Sequence, residues 1–162
     1  PEPGHLGRVL LVDANLASPA AHATFDLPAS PGMAEWLFDP SMSSRPIESV
    51  VAATAVPNLD LLPAGMVAIG QQPGRFTEAV ARAVHSAHDA VVLDLPSMDK
   101  SEAIARMAGL ADAAILVIEC NAANREVVRQ AIDRLDESGV NLLGVVLNKR
   151  TFPIPESLYR WF

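Results

Sequence analysis

One cysteine, Cys120, stands among 162 residues. No internal disulfide can form, which fits a reducing compartment, the cytoplasm. No run of about 18 apolar residues occurs, so no segment is expected to span a membrane. No secretory signal opens the sequence, and it begins on Pro1 rather than Met, which leaves a processed or truncated piece as one expectation. Basic residues are scarce, 12 Lys and Arg against 19 Asp and Glu, for a net charge of −7. The largest basic cluster is Lys149 with Arg150. An acidic chain without a basic stripe repels nucleic acid, so no nucleic-acid partner is expected. No Gly-x-Ser-x-Gly elbow of a hydrolase appears. A phosphate-cradling loop is missing too. Such a loop needs glycines whose backbone N–H groups face the phosphates, then Lys and Ser or Thr. The only lysines are Lys100 and Lys149, and Lys100-Ser101 follows Asp99 with no glycines before it.

What the chain has is aliphatic. Half of it is hydrophobic, while aromatics make up 5%, a composition that suits a globular α/β core. Short apolar runs occur at Arg8–Asp13, Asn58–Pro63, Ala90–Asp94, Ala113–Glu119 and Asn141–Asn148. Four of them are unbroken, as in strands buried on both faces. Asn58–Pro63 alternates, as a more exposed strand would. Helical spacing of apolar residues predicts helices over Phe76–His88, Ser101–Leu110 and Asn124–Ser138, the last stopped by Gly139. Residues 14–57 are less regular, with one short helix near Met33–Phe38, and Phe152–Phe162 is irregular. Strands alternating with helices imply βαβ crossovers. The expected fold is α/β, three-layered, with a mostly parallel sheet and helices on both faces, in a single domain over residues 1–162.

In open parallel sheets, ligands bind outside the carboxyl ends of the strands. Asp13, Asp94 and Asn148 stand at three such ends. A carboxylate closing a buried strand is costly without a cation or donors to face, and two of them suit Mg²⁺ beside phosphates. Asp at a strand end is also a common turn former and helix cap. His85 and His88 share a helical face, but solvated histidines are the plainer reading, and Cys120 reads as a small buried residue.

Ordered pieces of the chain resemble the bacterial tyrosine kinases. Val9 to Pro19 (VLLVDANLASP) is similar to that family's second Walker-type motif, a strand followed by Asp-x-Asp, Arg and Pro. Phe25 to Leu37, Pro57 to Gly65 (PNLDLLPAG), Asp89 to Pro96 (DAVVLDLP, like a Walker B strand) and Gly144 to Lys149 (GVVLNK) follow the family's order. The resemblance covers about residues 8–150, within the wider class of MinD/ParA ATPases, a P-loop NTPase-like fold. It implies ATP and Mg²⁺ as cofactors. It also implies catalytic and metal-supporting roles for Asp13 and Asp94, adenine reading by Asn148, and Asn15 and Lys149 as further cofactor-binding candidates.

The departures are equally specific. The family's phosphate loop and the strand before it have no counterpart here, and a sheet without its middle strand should fold poorly. Asn15 replaces the second Asp, and Ala17 replaces the Arg. Tyr159 stands alone where the family carries a tyrosine cluster.

Enzymatic activity is thus left open. One reading is a tyrosine-kinase-like ATPase, fragmentary or degenerate, in exopolysaccharide or capsule synthesis and export. It would be cytoplasmic and held at the inner membrane face through a membrane polysaccharide co-polymerase or export protein, with a homo-oligomer as a further option. The others are a non-catalytic interaction module of the same fold, using no cofactor, and a MinD/ParA-type positioning ATPase.

Overall fold

The aliphatic runs do form strands, which among the described residues lie in two sheets. The computed structural model describes residues 7–16, 18–66, 88–98, 107–108, 110–120 and 124–149. It divides into two compact units, residues 1–97 and 98–162.

The first unit is built on β1 (Val9–Asp13), β2 (Ala52–Ala53), β3 (Leu59–Leu62) and β4 (Ala90–Asp94), in the order β2-β3-β1-β4. β1 pairs in parallel with β3 on one side and β4 on the other, and β2 adds antiparallel to β3. The β1–β4 register sets Asp13 opposite Asp94. Leu10, Val12, Leu61 and Leu62 are almost wholly buried and form the heart of this unit with Met33, Ala34, Ile47 and Val50.

β3 departs from its expected exposure. Its alternation comes from Asp60, yet Asp60, Leu61 and Leu62 are all buried, because β3 has a hydrogen-bonded neighbour on each side and Asp60 meets the Arg8 guanidinium and the His88 ring. β4 departs the other way, with Val92 51% exposed. Among the described residues it pairs only with β1.

The segment expected to be irregular holds α1 (Ala21–Thr24), α2 (Met33–Phe38), α3 (Pro40–Ser43) and a 3-10 turn over Ile47–Val50. Glu35 ties α2 to the segment leaving β3. Its carboxylate accepts from Gly32 N–H at 2.8 Å, the Ser30 hydroxyl at 2.8 Å and Met66 N–H at 3.0 Å. Burial pushes this carboxyl up, but the bonds from Met66, Ser30 and Gly32 outweigh it and hold it below the ordinary value.

The second unit contains β5 (Ala113–Glu119), α4 (Arg125–Glu137) and β6 (Asn141–Asn148). β5 and β6 pair in parallel, with a register shift between Ala114 and Ile115. Asn124 caps α4 by accepting from Val127 N–H at 2.9 Å, and Gly139, at φ 77°, turns the chain out of it. These strands were expected to be buried on both faces. Instead Ile115, Val117, Leu143 and Leu147 are 59–65% exposed, since among the described residues each strand has one hydrogen-bonded neighbour. The expected helices over Phe76–His88 and Ser101–Leu110 lie almost wholly outside the described residues. His88 itself lies in irregular chain just before β4 rather than in a helix.

Candidate functional site

Parallel pairing puts the carboxyl ends of β1 and β4 side by side, so the two strand-end aspartates meet. Asp13 is completely buried. It survives there because backbone donors surround it. Oδ2 accepts from Ala20 N–H and Ala21 N–H, both at 3.1 Å, and Oδ1 from Asn15 N–H at 3.3 Å. The chain folds back through Asn15, Leu16, Ser18 and Pro19 to bring Ala20 and Ala21 to this carboxylate. Ser18 N–H closes a turn onto the Asn15 carbonyl at 3.1 Å, and Ala14 N–H bonds the Asp94 carbonyl at 3.0 Å.

Asp94 is exposed and its side chain has no hydrogen-bond partner among the described residues. Lost hydration at the strand end, and then the charge of Asp13 across the register, raise its carboxyl above the ordinary value. A cation would relieve both effects. This corner therefore fits Mg²⁺, with Asp94 as the group to hold it and oxygen as the donor Mg²⁺ prefers. No group of three His, Cys, Asp or Glu side chains among the described residues gathers as an all-protein metal cage would.

The other expected cofactor residues, Asn148 and Lys149, lie in the second unit at the carboxyl ends of its strands. β6 ends opposite β5 with Asn148 against Glu119. Lys149, with φ 52°, turns back so that its N–H bonds Asn148 Oδ1 at 2.8 Å and its Nζ meets Glu119 Oε2 at 3.0 Å. The Asn148 side-chain carbonyl is thus occupied locally, while its NH₂ group remains available as a donor. Cys120 is half-buried rather than buried, and its N–H bonds the Asn148 carbonyl at 2.9 Å.

The structure thus brings together Asp13, Asp94 and Asn15 in one unit and Asn148 and Lys149 in the other. Sequence reading missed the backbone donors of Ala20 and Ala21, which carry no side-chain signature, and Glu119, whose partner becomes visible only through the β5–β6 register. It also missed the pairing of His88. His88 Nε2 lies 3.0 Å from Asp60 Oδ2, and Arg8 Nη2 lies 2.6 Å from the same oxygen. His85, the other half of that pair, lies outside the described residues.

No protein-family model matches the chain. CapB of Staphylococcus aureus and CpsD of Streptococcus agalactiae, both named as tyrosine-protein kinases, are 26% and 25% identical over 96% and 88% of the chain. Among solved structures, the chimerical protein CapA2B2 superposes at a TM-score of 0.77 over 90% of the chain at 20% identity. The VpsO kinase domain does so at 0.73 over 90% and 27% identity. A Borrelia burgdorferi plasmid partition protein matches in fold at 0.60 over 96%. In sequence the chain is similar to bacterial tyrosine-protein kinases, and it shares its fold with their kinase domains and with a plasmid partition protein. The chain spans 68% of CapB, 61% of CpsD and 64% of CapA2B2. Its α/β class and largely parallel strands agree with those neighbours.

Proposed function

We propose that this tyrosine-kinase-like domain is the nucleotide-handling part of an ATPase of bacterial exopolysaccharide or capsule synthesis and export. It would act on tyrosine hydroxyls or water with ATP and Mg²⁺. The observation that carries this reading is the pairing of Asp13 and Asp94 at the carboxyl ends of adjacent parallel strands. The Asp94 carboxyl is raised by lost hydration and then by the charge of Asp13, which is the electrostatic setting a cation beside phosphates resolves. The kinase names of the relatives support it. Within it, Asp94 faces Mg²⁺ and Asp13 and Asn15 serve that corner of the first unit, while in the second unit the Asn148 NH₂ group and Lys149 are, by themselves, candidates for contacting the nucleotide. A membrane-bound partner, a polysaccharide co-polymerase or export protein, would hold the domain at the inner membrane face.

A second reading has its own observations. Asn15 and Ala17 remove a carboxylate and an arginine that the resemblance calls for, and the Asn148 carbonyl is engaged by Lys149. These favour a domain that kept the fold and lost the chemistry, an interaction module. Calorimetry of ATP with Mg²⁺ separates the two. It should be run on the 162-residue chain and on a form extended upstream through the native gene. Binding by the extended form, abolished by Asp94→Ala, supports the ATPase. Absence of binding in both forms sinks it and leaves the module.

A further inference from the structure

We infer that the ionic cluster at the amino ends of the first unit's strands is a register lock. His88, held by Asp60 of β3, is the positioning residue that fixes how β4 lies against β1.

β4 needs such a lock because its apolar pattern separates alternative registers poorly. Val91 and Leu93 stand on the side of Leu10 and Val12, and Ala90 and Val92 on the other. A one-residue slip turns every side chain to the opposite face, yet along most of this strand it would exchange apolar for apolar. A two-residue slip would not change faces at all. Among the described residues β4 pairs with β1 alone, so no second strand there corrects an error.

The amino end does tell the registers apart. Asp89 N–H bonds the Arg8 carbonyl at 2.8 Å, and the Asp89 carboxylate accepts Arg8 N–H at 2.7 Å. A Cβ on Gly7 would run into that carboxylate. Arg8 Nη2 reaches Asp60 Oδ2 at 2.6 Å, and His88 Nε2 lies 3.0 Å from the same oxygen. The His88 side chain is only 4% exposed, so bulk water is no substitute for Asp60. A strand advances about 3.3 Å per residue. One step of slip therefore breaks both the His88–Asp60 contact and the Asp89–Arg8 clasp. It strands a buried imidazole N–H and leaves Asp60 with Arg8 alone, the costly arrangement for buried polar groups.

Apolar residues of similar volume would hold the strands together as well as this cluster, or better. What they would not supply is the choice of register, the best-attested use of a buried polar group. None of this depends on whether a nucleotide binds.

Solution NMR of the 162-residue chain tests the lock. In the unmodified chain His88 Nε2 should carry a proton in long-range proton–nitrogen spectra, since only a protonated Nε2 donates to Asp60. A ring whose sole proton sits on Nδ1 overturns the lock without any variant having to fold. Asp60→Leu/His88→Leu removes both buried partners together. It should melt within about 5 °C of the parent or above it, while its β4 amides split into two or more sets and the contacts of Leu11 with Val92, opposite each other in the parent, weaken. His88→Gln returns a donor near the place of Nε2 and should keep a single set. One register in the double variant overturns the proposal, and so does splitting in His88→Gln. A double variant that loses its fold also overturns it, because the cluster would then hold the strands by energy rather than choose their register.

Discussion

Asp60 shows how one buried carboxylate can fix three strands. It lies on β3, its first partner Arg8 precedes β1, and its second, His88, precedes β4. Asp89 reinforces the same end, its carboxylate accepting Arg8 N–H at 2.7 Å. The hydrogen bond from His88, then that from Arg8, hold the Asp60 carboxyl below its ordinary value against the opposing effect of burial. A carboxyl lowered on folding contributes stability above its unfolded pKa, about 3.9. That contribution disappears as pH falls through the folded value. Asp60→Asn should therefore cost about 1–3 kcal/mol at pH 7, and its deficit against the parent should close as pH falls from about 5 to 3. Urea unfolding across that range reads the difference. A deficit independent of pH would mean that shape, not charge, holds the three strands. Asp94 has the reverse sign. Its carboxyl is raised by lost hydration and by Asp13, so ionising it disfavours the folded state as pH rises through its titration. Asp94→Asn should gain most over the parent at neutral pH and nothing at pH 3.

Among the elements, α2 depends on a close approach that a single methyl would end. Gly32 is extended, at φ −149°, so its backbone angle suits any residue. What it needs is room: a Cβ there would lie 2.5 Å from both the Pro63 carbonyl oxygen and the Gly65 nitrogen. Gly32→Ala should cost 2 kcal/mol or more, on the order of an overpacked core site. By contrast Asn124→Ala, which removes only the cap of α4, should cost about 1 kcal/mol. Equal losses in chemical denaturation would contradict the distinction. The strands were legible in the sequence because unbroken Val, Leu and Ile runs closed by a polar Asp, Glu or Asn leave few alternatives, and β4, β5 and β6 begin and end where they were expected. α4 was legible from its spacing and from Gly139. The exposure of β3 was not, since an Asp inside a strand looks solvated until Arg8 and His88 close on it. Nor were α1 and α3, four residues each, too short for periodicity to register. At the candidate site the positions of Asp13 and Asp94 could be read. Their unequal hydrogen bonding could not, because it depends on backbone amides seven and eight residues downstream.

For the molecule as a whole, composition and exposure disagree. β4, β5 and β6 have sequences made for burial, yet Val92, Ile115, Val117, Leu143 and Leu147 are each more than half exposed. Among the described residues these apolar strands have an open edge with no lysine or proline to blunt it, and such edges invite pairing with other chains; a two-stranded sheet is also weak on its own. The register shift in β5–β6 falls at the start of the pair, between Ala114 and Ile115, so it leaves the rest of the strand regular. The 162-residue chain should accordingly self-associate in a concentration-dependent way. Ile115 and Val117 alternate along β5 and are 60% and 59% exposed, so replacing both by Lys adds two like charges to one face with little loss of buried area. Light scattering coupled to size exclusion should then show the parent shifting to larger species between about 10 and 200 μM, the range in which exposed strands associate, while the double variant remains a 17 kDa monomer. A parent that is monomeric throughout would show that these apolar strands are already adequately covered in solution. The exposed face of β5 would then be an ordinary solvated surface.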